Sequence, residues 1–297
     1  MKGDGVILHA GPLLRLASSG PYTPRYLTMI PVFSLTAMFL YAGAWAALLR
    51  SLTADPAKEQ TKRFDVLLAY LAAMAHGLLL APALLFTNQP NLALGSTLSL
   101  IALIIALLFL AGRLFQPVQG LGILIYPSAF VGVGLGWLLP GPLYASSLEG
   151  ASGLFHIIGA GLAYALLSLA LAQAILLHFY DRGLKQKRNV GLFRSFPPIL
   201  TMEKILFQLV YLGFGLLTLT LLSGALSSGQ MFGQAFLFNH HTILSLLAWI
   251  SLAALVLGRL VLGWRGRTAV LWTGAGFFLL AVGYFGTRFV LEVLLAS

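Results

Sequence analysis

No cysteine occurs in the 297-residue chain. Disulfides, thiolate zinc sites, iron–sulfur clusters and thiol redox chemistry are therefore excluded. Charge is nearly as scarce, at 9% of residues, where a soluble domain carries roughly 25%. So few charged groups cannot cover a water-facing surface, which rules out a soluble enzyme, a disordered chain and a nucleic-acid-binding protein. Acidic residues are the scarcest charges, 8 against 18 Lys and Arg. What is there instead is apolar: 59% of the residues are hydrophobic. The composition predicts an integral membrane protein.

Six stretches carry no Asp, Glu, Lys or Arg: 26–49, 66–112, 114–148, 150–180, 205–258 and 268–287. A membrane helix needs roughly 20 apolar residues, so the two longest stretches are each too long for one crossing. Asn88-Gln89-Pro90-Asn91 divides the first, and Ser227-Ser228-Gly229-Gln230 divides the second, since such polar and Pro/Gly clusters signal turns. The prediction is an all-α bundle of eight transmembrane helices near 28–49, 66–86, 92–113, 121–139, 154–180, 205–226, 240–261 and 269–292. Residues 28–295 form one membrane domain on this reading. Residues 1–27 read as an extension lying outside the cell or at the interface, because Val6–Leu16 is too short to span and no secretory cleavage pattern follows it.

Basic residues set the orientation. The connectors after spans 1, 3, 5 and 7 hold 14 of the 18 Lys and Arg, six of them between Arg182 and Lys204; those after spans 2, 4 and 6 hold none. The odd connectors are expected in the cytoplasm and both termini outside it. Anionic membrane lipid is then the expected counter-charge for the net +10.

Ionisable groups in hydrocarbon are costly and mark function, so the six histidines are the natural candidates. His9 lies in the extension and His178 at a helix C-terminus, where an imidazolium is favoured by the helix dipole. His76 is ten residues into span 2, about 15 Å along a helix, close to the midplane. His156 opens span 5, and His240 and His241 open span 7, so these three share an outer depth. Each could simply satisfy a neighbouring carbonyl or hydroxyl. Together, imidazoles at matched depth on separate helices suit one metal ion or one haem iron. Zinc wants three or four ligands, and the outer ends offer only Glu149 and Glu292 besides histidine. Haem b, held non-covalently, asks for two axial imidazoles and an apolar slot, with His156 and His240 as the iron candidates.

Arg288 stands four residues before Glu292, a spacing for a helical ion pair; its forked guanidinium also suits a haem propionate. Gly132, Gly134 and Gly136 in span 4, and Gly159, Gly161 and Ala165 in span 5, are small residues of the kind that let membrane helices approach. Pro127 predicts a kink in span 4. Thr201, followed by Glu203, reads as the N-cap of span 6.

Several stretches resemble the cytochrome c assembly family of haem-handling membrane proteins, in its CcsA-like branch of HemX- and YpjD-type inner-membrane proteins. They are Gly153-Leu-Phe-His156-Ile-Ile-Gly-Ala-Gly-Leu-Ala-Tyr164, Phe196-Pro197-Pro198 with Met202-Glu203 and Phe207, and Leu216-Leu-Thr218-Leu-Thr220-Leu-Leu-Ser-Gly224. Further on come His240-His241-Thr-Ile-Leu-Ser245-Leu-Leu-Ala-Trp249, Gly263-Trp264-Arg265-Gly266-Arg267 and Tyr284-Phe285-Gly286-Thr-Arg288. The resemblance covers roughly residues 28–295. It implies an eight-helix, haem-binding protein of the bacterial inner membrane that assists haem delivery or c-type cytochrome maturation, with apocytochrome c or other assembly proteins as partners. It also implies His156 as the outward-facing haem ligand, with His240 or His241 beside it, His76 as a buried histidine of the branch and Arg288 as a basic site residue. One departure bears on activity. Synthetase and exporter members carry a tryptophan-rich outer loop, whereas Gly229–His241 has no Trp and offers only Phe232, Phe236 and Phe238. A carrier, chaperone or regulator is expected here, without thioether formation of its own. The alternatives are a membrane scaffold regulating haem biosynthesis through its basic connectors, and a small-molecule transporter.

Overall fold

A computed structural model describes residues 24–53, 61–85, 93–139, 151–186, 195–232 and 240–294. Most of the expected extension, His9, Glu149, the Asn88–Asn91 break, and Phe236 and Phe238 lie outside the described residues. Among those described there is no strand. The apolar stretches form α1 (Pro24–Thr53), α2 (Thr61–Leu85), α3 (Leu94–Phe115), α4 (Gly122–Leu138), α5 (Ala151–Lys185), α6 (Ile199–Phe232) and α7 (His240–Leu262). The eighth, α8, runs Gly266–Leu294 and contains wide π-turns at Val282–Gly286 and Val290–Leu294. All eight are long and apolar enough to cross a membrane. Their large outward side chains, such as Phe39, Leu212 and Phe278, are exposed, as a lipid-facing surface requires.

Two expectations about α6 are corrected. Thr201 is not its N-cap: the N–H groups of Thr201 and Met202 both donate to the Pro198 carbonyl, at 2.9 and 3.1 Å. Pro198 therefore closes the first turn and Thr201 sits inside the helix. The helix starts at Ile199, ahead of the expected cap, and in its second turn the Glu203 carboxylate is buried against the Gly266 N–H, 2.9 Å away at the start of α8. At the far end Ser227–Gln230 does not break the helix, which continues to Phe232.

The helices pack as two rings of four. In the first, α1 lies against α2 and α4, and α3 against α4 and α2; in the second, α5 lies against α6 and α8, and α7 against α8 and α6. The α3·α5 contact joins the rings. The neighbour order is thus repeated, although no repeat is evident in the sequence.

Small residues fix the closest crossing. A Cβ on Gly136 would stand 2.7 Å from Ser99 Cβ, and one on Gly132 would overlap Ala102, so α3 and α4 meet nearly backbone to backbone. Pro127 does not interrupt α4. It frees the carbonyl four residues back, and the indole Nε1 of Trp45 in α1 donates to that Ile123 oxygen at 3.1 Å.

One ion pair ties three helices of the first ring at the end of the molecule bearing the basic connectors. Arg113 Nη1 of α3 donates to Asp65 Oδ2 of α2 at 2.5 Å and to the Tyr126 hydroxyl of α4 at 3.0 Å. Asp65 is fully buried and Arg113 nearly so. Removing one partner of such a pair leaves the other charge uncompensated. Asp65→Ala is therefore expected to destabilise the fold by about 3–5 kcal/mol, read as a lower thermal midpoint in detergent. Asp65→Leu combined with Arg113→Met, which removes both charges, is expected to recover most of that loss.

Candidate functional site

Four of the five residues singled out in the sequence come to one end of the second ring. α5 and α7 begin there and α6 and α8 end there, so the antiparallel order alone brings His156, His240, His241 and Arg288 to the same depth. Packing then decides which of them touch. His241 lies within electrostatic reach of His156, His240 and Arg288. Its ring meets Tyr284 edge-on, with centroids 6.0 Å apart. The contact is set where α7 crosses α8 at Gly283, whose absent Cβ would stand 3.2 Å from Leu244 Cβ. His240 is exposed and His241 half-buried.

Tyr284 is the hub of this end. Its ring packs against Tyr164 of α5, at 6.1 Å, and its hydroxyl lies 3.5 Å from Thr97 Oγ1 of α3. Tyr164 also meets Phe285 at 5.5 Å and donates its hydroxyl hydrogen to the Leu280 carbonyl at 2.7 Å. The aromatic wall thus spans α5, α8 and the first turn of α3. Both π-turns of α8 lie in this region; such turns recur at functional sites.

His156 is held by its environment in one tautomer. Its Nδ1 lies 3.0 Å from the Thr220 carbonyl oxygen and 3.1 Å from Ser223 Oγ. A carbonyl can only accept, so Nδ1 carries the hydrogen, and in the neutral ring Nε2 then keeps its lone pair. Among the described residues Nε2 has no hydrogen-bond partner. Gly224 makes the seat: a Cβ there would be 3.0 Å from His156 Cε1. The neutral ring therefore presents a bare nitrogen, and the bond on the other nitrogen fixes its orientation.

Arg288 makes the expected i,i+4 ion pair with Glu292, at 3.2 Å, and its guanidinium carbon lies 5.9 Å from the Tyr284 ring centre. The second Glu292 oxygen accepts the Leu94 backbone N–H at 2.7 Å, so one carboxylate both caps α3 and steadies the arginine. Sequence spacing finds the ion pair but not the cap, which joins residues 198 apart. Tyr284, Tyr164, Thr220 and Ser223 were likewise not singled out as site residues. The available signal was Tyr284 one helical turn before Arg288, and Tyr164 two turns after His156.

His76 stands apart. It is fully buried in the first ring, with Nε2 2.9 Å from Ser99 Oγ and Nδ1 3.4 Å from the Tyr41 hydroxyl. Both ring nitrogens are engaged. Ser99 and Thr97 are two residues apart on α3, about 200° around the helix, so α3 separates His76 from the Tyr284 cluster. His178 is exposed beside Phe179. Among the described residues no three of His, Asp or Glu gather in a metal-holding group.

The model of the cytochrome C assembly protein family matches residues 65–295. The inner membrane protein YpjD of Escherichia coli K12 is 28% identical over 274 residues, 89% of this chain and all of that protein. An uncharacterized 28.8 kDa protein of Azospirillum brasilense is 29% identical over 52% of this chain and 58% of its own length. The cytochrome c biogenesis protein CcsA of a Picosynechococcus strain is 31% identical over 88 residues, 30% of this chain and 26% of that protein. No solved structure gives a significant match.

Glu292→Ala removes the α3 cap and the Arg288 partner together. The expected result is a loss of about 1–2 kcal/mol, seen as a lower thermal midpoint, with Glu292→Gln losing less because its amide oxygen still accepts the Leu94 N–H.

Proposed function

Because the chain belongs to the cytochrome c assembly family, we propose that it is a haem-binding carrier or chaperone of c-type cytochrome biogenesis, holding haem b non-covalently at the end of the bundle where His156, His241 and Tyr284 lie. It is a multi-pass inner-membrane protein with eight spanning helices. The observation that carries the reading is the His156 ring: its Nδ1–H is committed to the Thr220 carbonyl, which leaves Nε2 as the atom that would hold the iron. His240 or His241, at the start of α7, supplies the second imidazole.

The residues fit such a group in three respects. The imidazole is oriented and half-buried. The wall beside it is aromatic, from Tyr164, Tyr284 and Phe285. Arg288, braced by Glu292, offers a guanidinium to a propionate. Bound haem would supply an iron centre and a hydrophobic macrocycle for transfer to a partner such as an apocytochrome c. The chain's own part is to orient the imidazoles, shield the apolar face and anchor the carboxylates. His76, bonded at both nitrogens, acts in this reading as a tie between α1, α2 and α3.

The excess of Lys and Arg in the odd-numbered connectors favours the cytoplasm for those loops, and on that reading the haem end faces outward and both termini are extracytoplasmic. Residues 28–295 work as one membrane domain, with 1–27 as an extension outside it.

Protein purified from haem-replete cells is expected to show a Soret band that His156→Ala abolishes or strongly diminishes; a wild-type preparation without such absorption would overturn the proposal. Arg288→Ala is expected to keep the band but weaken haem retention roughly 10- to 100-fold, the weight of one hydrogen bond to a charged group. Orientation has a direct check, since the chain has no cysteine. Ser297→Cys should react with a membrane-impermeant maleimide in spheroplasts, and Gln186→Cys only after lysis.

A further inference from the structure

The opposite end of the molecule carries a second construction that the haem reading does not use. Two concavities adjoin there and share Gln208 and Tyr211. The smaller, about 240 Å³, is lined by Glu203, Lys204, Phe207, Arg259 and Arg265 between α6 and the α7–α8 turn. The larger, about 490 Å³, is an apolar groove between α3 of the first ring and α5 and α6 of the second, with Phe109, Gly112, Leu169 and Leu212 among its walls. It lies across the seam between the two rings.

The charge in the smaller cavity is uncompensated. Glu203 is committed to the Gly266 N–H. Arg259 lies over the Phe207 ring at 4.3 Å and donates to the Trp264 carbonyl at 3.0 Å. Lys204 and Arg265 are exposed, and neither has an ion-pair partner among the described residues. Three cations therefore face one carboxylate already engaged by a backbone donor.

The turn that carries Arg265 is built rather than loose. Gly263 and Gly266 have φ of +66° and +51°, a conformation that only glycine adopts at no cost. Between them Trp264 packs its ring onto Gly258 and stacks on Trp272 at 5.5 Å, while its N–H donates to the Gly258 carbonyl at 3.1 Å. Arg265, extended between the two turns, is thereby set at the rim of the cavity.

Depth selects the ligand. From Lys204 to Leu212 is eight residues of α6, about 12 Å, less than half of a hydrocarbon core of about 30 Å. A cationic recess thus sits at headgroup level, and an apolar groove descends from it within one leaflet. We propose that these joined cavities are a binding site for one anionic glycerophospholipid, its phosphate held by Lys204 and Arg265 and an acyl chain lying in the groove between α3 and α6. Basic pockets between transmembrane helices recognise acidic headgroups in this way. A free anion would leave the groove unfilled, and a zwitterionic lipid would leave the cations unbalanced. The lipid wedges the seam between the rings and so contributes to their packing.

The test uses the full-length protein purified in mild detergent, with lipids extracted and quantified by mass spectrometry. Tightly held phosphatidylglycerol is expected to be enriched over phosphatidylethanolamine relative to the host membrane. Lys204→Gln with Arg265→Gln should reduce that enrichment roughly tenfold or more. Gly112→Leu keeps every charge but fills the groove, its Cβ meeting only Val118 Cγ2 at 3.7 Å, and should also lose the lipid. After delipidation, phosphatidylglycerol should raise the thermal midpoint of the wild type and not of the charge variant. No enrichment in the wild type, unchanged enrichment in both variants, or equal protection by inorganic phosphate or phosphatidylethanolamine would overturn the proposal. So would a charge variant that keeps its lipid yet loses its Soret band, since the recess would then serve haem. The lipid measurement does not depend on haem, so its failure and that of the haem reading are told apart.

Discussion

A bilayer offers no water to a polar group, so every donor and acceptor within a span must find its partner in the protein. That constraint organises this molecule. Two groups of buried polar side chains tie helices together: Asp65 with Arg113 and Tyr126 across α2, α3 and α4, and His76 with Tyr41 and Ser99 across α1, α2 and α3. Trp45 serves the carbonyl that Pro127 leaves free. Because apolar packing alone discriminates poorly between helix partners in lipid, these bonds and the close Gly132 and Gly136 crossing are what give the first ring its register.

The same constraint acts differently in the second ring. There a group of polar side chains gathers where α5 and α7 begin and α6 and α8 end, and its members are not all consumed by one another. Glu292 holds Arg288 and caps α3, and Thr220 fixes the His156 tautomer while leaving Nε2 without a hydrogen bond among the described residues. The histidine of the first ring is bonded at both nitrogens, whereas His156 in the second is bonded at one. That division gives the proposed haem site its place. The aromatic wall on Tyr284 and the π-turns of α8 belong to the same region.

Much of this was legible in the residues and some was not. The eight spans follow from charge-free runs, and helix ends at His240 and near Leu138 fall where the runs predict. The Arg288–Glu292 pair follows from spacing alone. Other features escaped because they depend on contacts remote in the chain. Thr201 carried a capping residue's chemistry, yet the Pro198 carbonyl closes the first turn and Thr201 lies inside the helix. Pro127 leaves a carbonyl free, and it is an indole from α1, 78 residues away in the chain, that takes it up. His76 and His156 look alike as histidines within apolar spans. Only their neighbours distinguish a ring bonded at both nitrogens from a ring bonded at one.

The sequence by itself determined a multi-spanning helical membrane protein, its eight candidate spans and that His156, His240 and His241 would share one end. Those properties depend on local composition and on a helix rise that is the same everywhere. The tertiary structure decided which helices are neighbours, that they form two rings of like order, and which polar atoms remain uncommitted. Neighbour choice rests on hydrogen bonds and glycine contacts between residues as far apart as Leu94 and Glu292, and no pattern along the chain encodes those before the helices have packed.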